Sequence, residues 1–266
     1  MNTEKTADYQ CILYQVTDNT CTITLNRPKV YNALNNQLSA ELVQALKVAA
    51  NDTNVRVVVL TGAGKGFCTG HDLKAPENMQ GRAPSEIINQ NYKPIIEALR
   101  HLAKPVICRL NGVAAGAGCS LALACDMIIA SEDASLVQIF VNIGLVMDAG
   151  ASYFLSQLLP RNKAFELAAK GTPLTAVEAE QWGIVNRVAP AEALDEVLAE
   201  ELAYFAQAPT KAIGMMKRLL NQAYQSDLPH MIEMEATYQD HASKTKDHTE
   251  GIMSFIQKRK ANFKGK

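Results

Sequence analysis

Asp148 is the only charged residue in "NIGLVMDAGASYF", residues 142–154, set behind Ile143, Leu145, Val146 and Met147. A carboxylate in apolar company costs free energy unless it is paired, solvated or chemically employed. Desolvation raises a carboxyl pKa, and a base with a raised pKa is suited to moving a proton at carbon. The structural alternative is a helix cap, since aspartate readily accepts main-chain N–H groups at a helix start such as "AGASYFLSQLL". The residue types alone leave both readings open.

Two glycine-punctuated segments offer a second kind of chemistry, "GKGFCTGHDL" at 64–73 and "NGVAAGAGCSLALACD" at 111–126. Small residues let a ligand approach the main chain closely. A helix beginning near Gly116–Gly118 would leave its first N–H groups unpaired, at the positive end of the helix dipole. Two such turns aimed at one oxygen make an oxyanion hole, which stabilises an enolate formed from a thioester or another carbonyl compound. Close packing of a strand–helix turn accounts for the same small residues without any ligand. Neither segment has the spacing of a nucleotide-phosphate loop or of a dinucleotide fingerprint. Cys68 lies three residues before His71, but a catalytic Cys–His pair is usually assembled from distant parts of a chain, so Cys68 reads as a small wall residue.

Strands and helices must position these groups. "QCILYQV" and "CTITL" alternate around "TDNT" as an antiparallel hairpin would. "NQLSAELVQALKVAAND" carries a helical apolar face, with Asn35 or Asn36 as its cap. "VRVVVLTG", "PVICRL" and "MIIA" are apolar, β-branched-rich runs of the kind buried on both faces of a parallel sheet. A polar span at 75–90 leads into the helix "YKPIIEALRHLA", and from about residue 149 the periodicity predicts helix almost throughout.

Hydrophobic residues at 48% and charged residues at 20% are the balance of a globular chain of 266 residues rather than a disordered one. A formal net charge of −1 gives no global field to attract nucleic acid. The polar N-terminal decapeptide lacks the apolar core of a signal peptide, and no apolar run is long enough to span a membrane. The six cysteines form no Cys-x-x-Cys pair and sit mostly in apolar runs, which predicts reduced core thiols in the cytoplasm and no metal site.

Taken together, "LNRPKVYNAL", "TGAGKGFCTGHDLK", "KPVICRLNGVAAGAGCSLALACDMIIAS" and "LTAVEAEQWGIVNRV" resemble the crotonase (enoyl-CoA hydratase/isomerase) superfamily over nearly the whole chain. The resemblance implies an α/β spiral of ββα units, with residues 1–200 holding an acyl-CoA site and a helical region at 201–266 that assembles trimers or hexamers. It implies a thioester oxygen held by the His71 and Ala117 N–H groups. Coenzyme A, as part of the substrate and not a separate cofactor, would lie along Lys29 and along Asp72, Leu73 and Lys74. Phe255 and Lys258 match C-terminal residues that reach CoA in related hydratases, here from the same or another subunit; the alternative for the two is a core aromatic and a solvated charge.

Departures from the hydratase pattern direct the functional expectation. The paired glutamates of the hydratases fall here on Ser120 and Phe140, while Asp148 stands where they have a small residue. The resemblance is nearest to the branch that shifts double bonds or rearranges ring-epoxide acyl-CoAs, as in phenylacetate breakdown. Phe140, Val146 and Met147 are expected to shape the acyl pocket. Hydration by Asp148 alone, a nucleophilic Asp148 as in the dehalogenase or hydrolase branch, and a non-catalytic acyl-CoA-binding protein are the alternatives. Dehalogenation is the less favoured because Phe140 and approximately Lys93 replace its tryptophan and histidine.

Overall fold

The computed structural model describes residues 9–75 and 81–266. Most of the N-terminal decapeptide and part of the polar span at 75–90 lie outside these residues. The first elements among the described residues are the hairpin strands β1 (Ile12–Thr17) and β2 (Thr20–Leu25), whose antiparallel register pairs Thr17 with Thr20. Asp18 and Asn19 make the turn at φ 48° and 66°, a left-handed backbone that these two residue types tolerate. Helix α1 (Asn36–Asn51) follows, capped by Asn35, whose side chain accepts the Leu38 N–H at 2.9 Å.

Next come β3 (Val57–Gly62) and β4 (Gly66–Cys68), then α2 (Pro84–Ile87) and α3 (Lys93–His101) joined by a π-turn over 88–92. The pattern continues with β5 (Val106–Leu110), β6 (Val113–Ala115), α4 (Ala117–Leu123), β7 (Met127–Ser131) and β8 (Ser135–Val137). The remainder is α5 (Ala151–Leu158), α6 (Arg161–Lys170), β9 (Pro173–Thr175), α7 (Ala176–Gln181), β10 (Arg187–Ala189), α8 (Leu194–Phe205), α9 (Thr210–Ala223), α10 (Leu228–Ser243) and α11 (Lys246–Ile256).

Among the described residues two sheets form, in the orders β1-β2-β3-β5-β7-β10 and β4-β6-β8-β9. Alternation along β3 explains why its whole length is buried. Val58 and Leu60 enter the main core with α1, whereas Val57 and Val59 join Ile107, Ile129, Leu194 and Leu198 beneath α8. The expectation of helix throughout the second half is corrected by β9 and β10, three residues each and too short to show a period. Each is selected by an edge: β9 pairs with β8 and β10 with β7. No helix among the described residues is long and apolar enough to cross a membrane.

The C-terminal helices are tied to the α/β part by a buried ion pair. Lys217 on α9 reaches Asp126 at 2.7 Å and also donates to the carbonyls of Leu99 and Lys104. Burial drives both partners toward neutrality, raising the Asp126 pKa and lowering that of Lys217. Lys217→Met is expected to leave an unpaired buried carboxylate and to destabilise the fold by about 3–5 kcal/mol, read by urea unfolding. A loss below about 1 kcal/mol would show that the pair contributes no more than a surface contact.

Candidate active site

The small sheet delivers the two glycine segments to one place. Past β4 the chain makes an isolated parallel bridge between Leu34 and His71. Leu34 N–H donates to the Gly70 carbonyl at 2.6 Å and Asp72 N–H to the Leu34 carbonyl at 2.9 Å. Alternation in an extended segment therefore turns the His71 N–H to the opposite edge. Past β6, Gly116 adopts φ 54°, ψ −128° and α4 starts at Ala117, where the helix itself supplies no acceptor for the N–H.

The segments touch backbone to backbone. A Cβ on Gly70, which sits at φ 83°, would lie 2.7 Å from the Ala115 carbonyl and 3.1 Å from the Ala117 nitrogen. One on Gly118 would lie 2.1 Å from the Cys68 carbonyl. Glycine is required at both positions for closeness, and at Gly70 for its backbone angle as well. The arrangement brings His71 and Ala117 to the wall of one cavity of about 420 Å³.

Asp148 lines that cavity too. Its side chain does not cap α5: the cap position is Gly150, with no side-chain bond, and only the Asp148 main-chain carbonyl accepts the Ala151 N–H at 3.0 Å. The buried carboxylate oxygen Oδ1 has no hydrogen-bond partner. Burial pushes the Asp148 pKa up to about 6. Asp148 is the single carboxylate among the described residues lining the cavity. The cavity thus combines an apolar wall with one carboxyl group whose pKa is raised by burial.

The structure distributes the other expected residues unevenly. Phe140 lines the cavity, but Val146 and Met147 do not. Val146 is 86% exposed beyond the left-handed Gly144 turn, and Met147 packs against the main core; Ile139, Ile143 and Leu145 supply the apolar wall instead. Leu73 lines the cavity and Lys29 and Lys74 are exposed. The Asp72 side chain, however, is buried in a 2.8 Å ion pair with Arg27, which pins the loop and keeps this carboxylate from the surface.

Phe255 and Lys258 are absent from the lining of this cavity. Phe255 is 85% exposed, beside a separate groove that it shares with Phe263. Cys68 is wholly buried, donates to the Asn32 carbonyl and has its thiol pushed up to about 12 by burial, the profile of an inert wall residue. Lys93 is solvated and paired with Glu97 at 3.8 Å.

Tyr92 is a site residue that sequence reasoning missed. Its buried hydroxyl meets His71 Nδ1 at 2.6 Å, and its pKa is raised first by burial and then by the charge of Asp148. In the sequence it is one more apolar-facing position at the start of a helix, with nothing to single it out. Arg82 likewise lines the cavity, bonded to the side-chain oxygens of Asn36 and Gln90.

These features have a match among known proteins. Residues 15–266 fit the enoyl-CoA hydratase/isomerase family, and the chain belongs to it. Its fold is the crotonase fold: an enoyl-CoA hydratase structure from Bacillus anthracis superposes with a TM-score of 0.89 at 32% identity, covering 97% of this chain and 100% of that one. Among curated relatives, the 1,2-epoxyphenylacetyl-CoA isomerase of Escherichia coli K12 is 37% identical over 259 residues, 96% of this chain and 98% of the relative. The mitochondrial enoyl-CoA hydratase of Pongo abelii is 35% identical over 242 residues, 91% of this chain and 82% of the relative.

Proposed function

We propose that the protein is an acyl-CoA isomerase that shifts a double bond, or rearranges a ring-epoxide acyl-CoA, through a thioester enolate. The thioester oxygen sits between the His71 and Ala117 N–H groups. Asp148 takes a proton from the acyl chain, breaking one C–H bond, and the electron pair passes into the enolate. The proton then returns to another carbon from the same carboxyl group, so one base suffices and nothing is consumed. Main-chain donors hold the developing charge without reorganising.

The observation that carries this reading is the lone carboxylate. A water-adding pair of acids needs two, and the positions of the hydratase glutamates hold Ser120, whose hydroxyl is buried against main chain, and Phe140. The similarity to an isomerase of an epoxidised aromatic acyl-CoA supports the same choice. Similarity of comparable degree to a hydratase makes hydration the second reading. CoA would run along Lys29, Leu73 and Lys74, with Phe255 and Lys258 reaching it from another copy in a cytoplasmic homo-trimer or hexamer.

Incubating the protein with 3-enoyl, 2-enoyl and aromatic ring-epoxide acyl-CoAs in deuterated water tests the proposal. The expected product has a moved double bond or a rearranged ring, with less than one deuterium at the carbon that receives the proton, because Asp148 returns the proton it removed. Hydration of crotonyl-CoA at a comparable rate would replace isomerase by hydratase. CoA binding with no turnover of any substrate would leave a binding protein.

A further inference from the structure

Ser120 stands three residues after Ala117 on α4, so the two share a helix face about 4.5 Å apart along the axis. Its side chain is completely buried, and its hydroxyl donates to the main-chain carbonyl of Asp148 at 3.1 Å. The other acceptor in reach, the Gly116 carbonyl, is farther away at 3.4 Å, and each of the two carbonyls also accepts one main-chain N–H. The shorter contact directs the hydroxyl proton to Asp148.

What this bond holds is a disfavoured backbone. Asp148 is followed by Ala149 at φ 50° and Gly150 at φ 83°, two left-handed residues in succession. Alanine pays a steric penalty in that region. The conformation is retained by two bonds to the Asp148 carbonyl, from Ser120 and from the Ala151 N–H, and by burial of Ala149.

We propose that Ser120 is a positioning residue for proton transfer. Its hydroxyl ties the backbone of the base to the same turn of α4 whose first N–H faces the thioester oxygen. One helical turn then sets the separation between base and oxyanion. This rests on the reading of Asp148 as the base and Ala117 as a donor. The position that the resemblance assigns to a glutamate in hydratases thus works here through main chain, not by contact with substrate.

The test is Ser120→Ala, assayed beside Asp148→Asn on whichever acyl-CoA the wild-type protein isomerises. Misplacing a base by an ångström costs up to about 100-fold. Ser120→Ala is expected to lower kcat about 10- to 100-fold with KM within about twofold. The acid limb of its pH profile is expected to move toward the ordinary carboxylate range as Asp148 relaxes toward water. His71, Tyr92 and Arg82, the other ionisable groups among the described residues of the cavity, are unaltered in this variant.

Adding Ala149→Gly to Ser120→Ala removes the left-handed penalty and is expected to restore kcat to within about fivefold of wild type. A wild-type kcat and acid limb in folded Ser120→Ala, with Asp148→Asn inactive, would overturn the positioning role alone. So would failure of Ala149→Gly to restore the rate. An active Asp148→Asn enzyme would overturn both this role and the reading beneath it.

Discussion

Asp148→Asn is expected to lower kcat by about 10²–10⁴, the usual contribution of a general base, while KM for the acyl-CoA stays within a few-fold. The amide keeps the size and cavity position of Asp148 but cannot hold the proton between two carbons. Wild-type activity is expected to fall below about pH 6, where burial has placed the Asp148 pKa. The variant's residual rate should lack that limb.

Its stability is expected to change in the opposite direction. Because the folded protein holds the Asp148 proton more tightly than the unfolded chain, this group favours folding least once it is ionised. Its contribution declines as pH rises from about 4 to about 6 and stays low above that. The displacement from 3.8 to about 6 corresponds to about 3 kcal/mol at full burial, which partial exposure reduces to about 1–2 kcal/mol. Asp148→Asn should therefore raise the Tm at pH 8 and leave it unchanged near pH 3. A variant that loses activity without gaining stability at pH 8 would show that the carboxylate is not desolvated in solution.

The second large effect is expected from Gly70→Ala, which adds one methyl group and no charge. Its Cβ would meet the Ala115 carbonyl at 2.7 Å and the Ala117 nitrogen at 3.1 Å, forcing apart the two segments proposed to carry the oxyanion donors. The backbone at φ 83° resists alanine as well. Loss of one oxyanion donor typically lowers kcat by about 10²–10³, and a loss in that range is expected here. Circular dichroism and retained CoA binding would separate a displaced donor from an unfolded chain. Activity within tenfold of wild type would argue against catalysis by this pair of N–H groups.

Much of the scaffold was legible because its signals are local. The Asp18–Asn19 turn, the Asn35 cap and the apolar run of β3 each express a backbone preference or a burial period within a few residues. The short strands β4, β6, β9 and β10 were not legible, since three residues define no period and each exists only because a neighbouring edge accepts it. The glycine segments were recognisable as places of close approach. That Gly70 and Gly118 approach one another's loops, rather than a ligand alone, emerges only when β4 and β6 pair.

The amino-acid sequence by itself determined the family, the parallel-sheet core, and a solitary carboxylate with the two backbone turns it would serve. Tertiary structure decided how those parts act. It assigned the cap of α5 to Gly150, leaving the Asp148 carboxylate to the cavity. It turned Val146 outward, paired Asp72 with Arg27, and joined Tyr92 to His71 across 21 residues and Ser120 to Asp148 across 28. The physical reason is range: periodicity and turn chemistry act along the chain, whereas desolvation and hydrogen-bond partners are set by whatever the packed chain brings alongside.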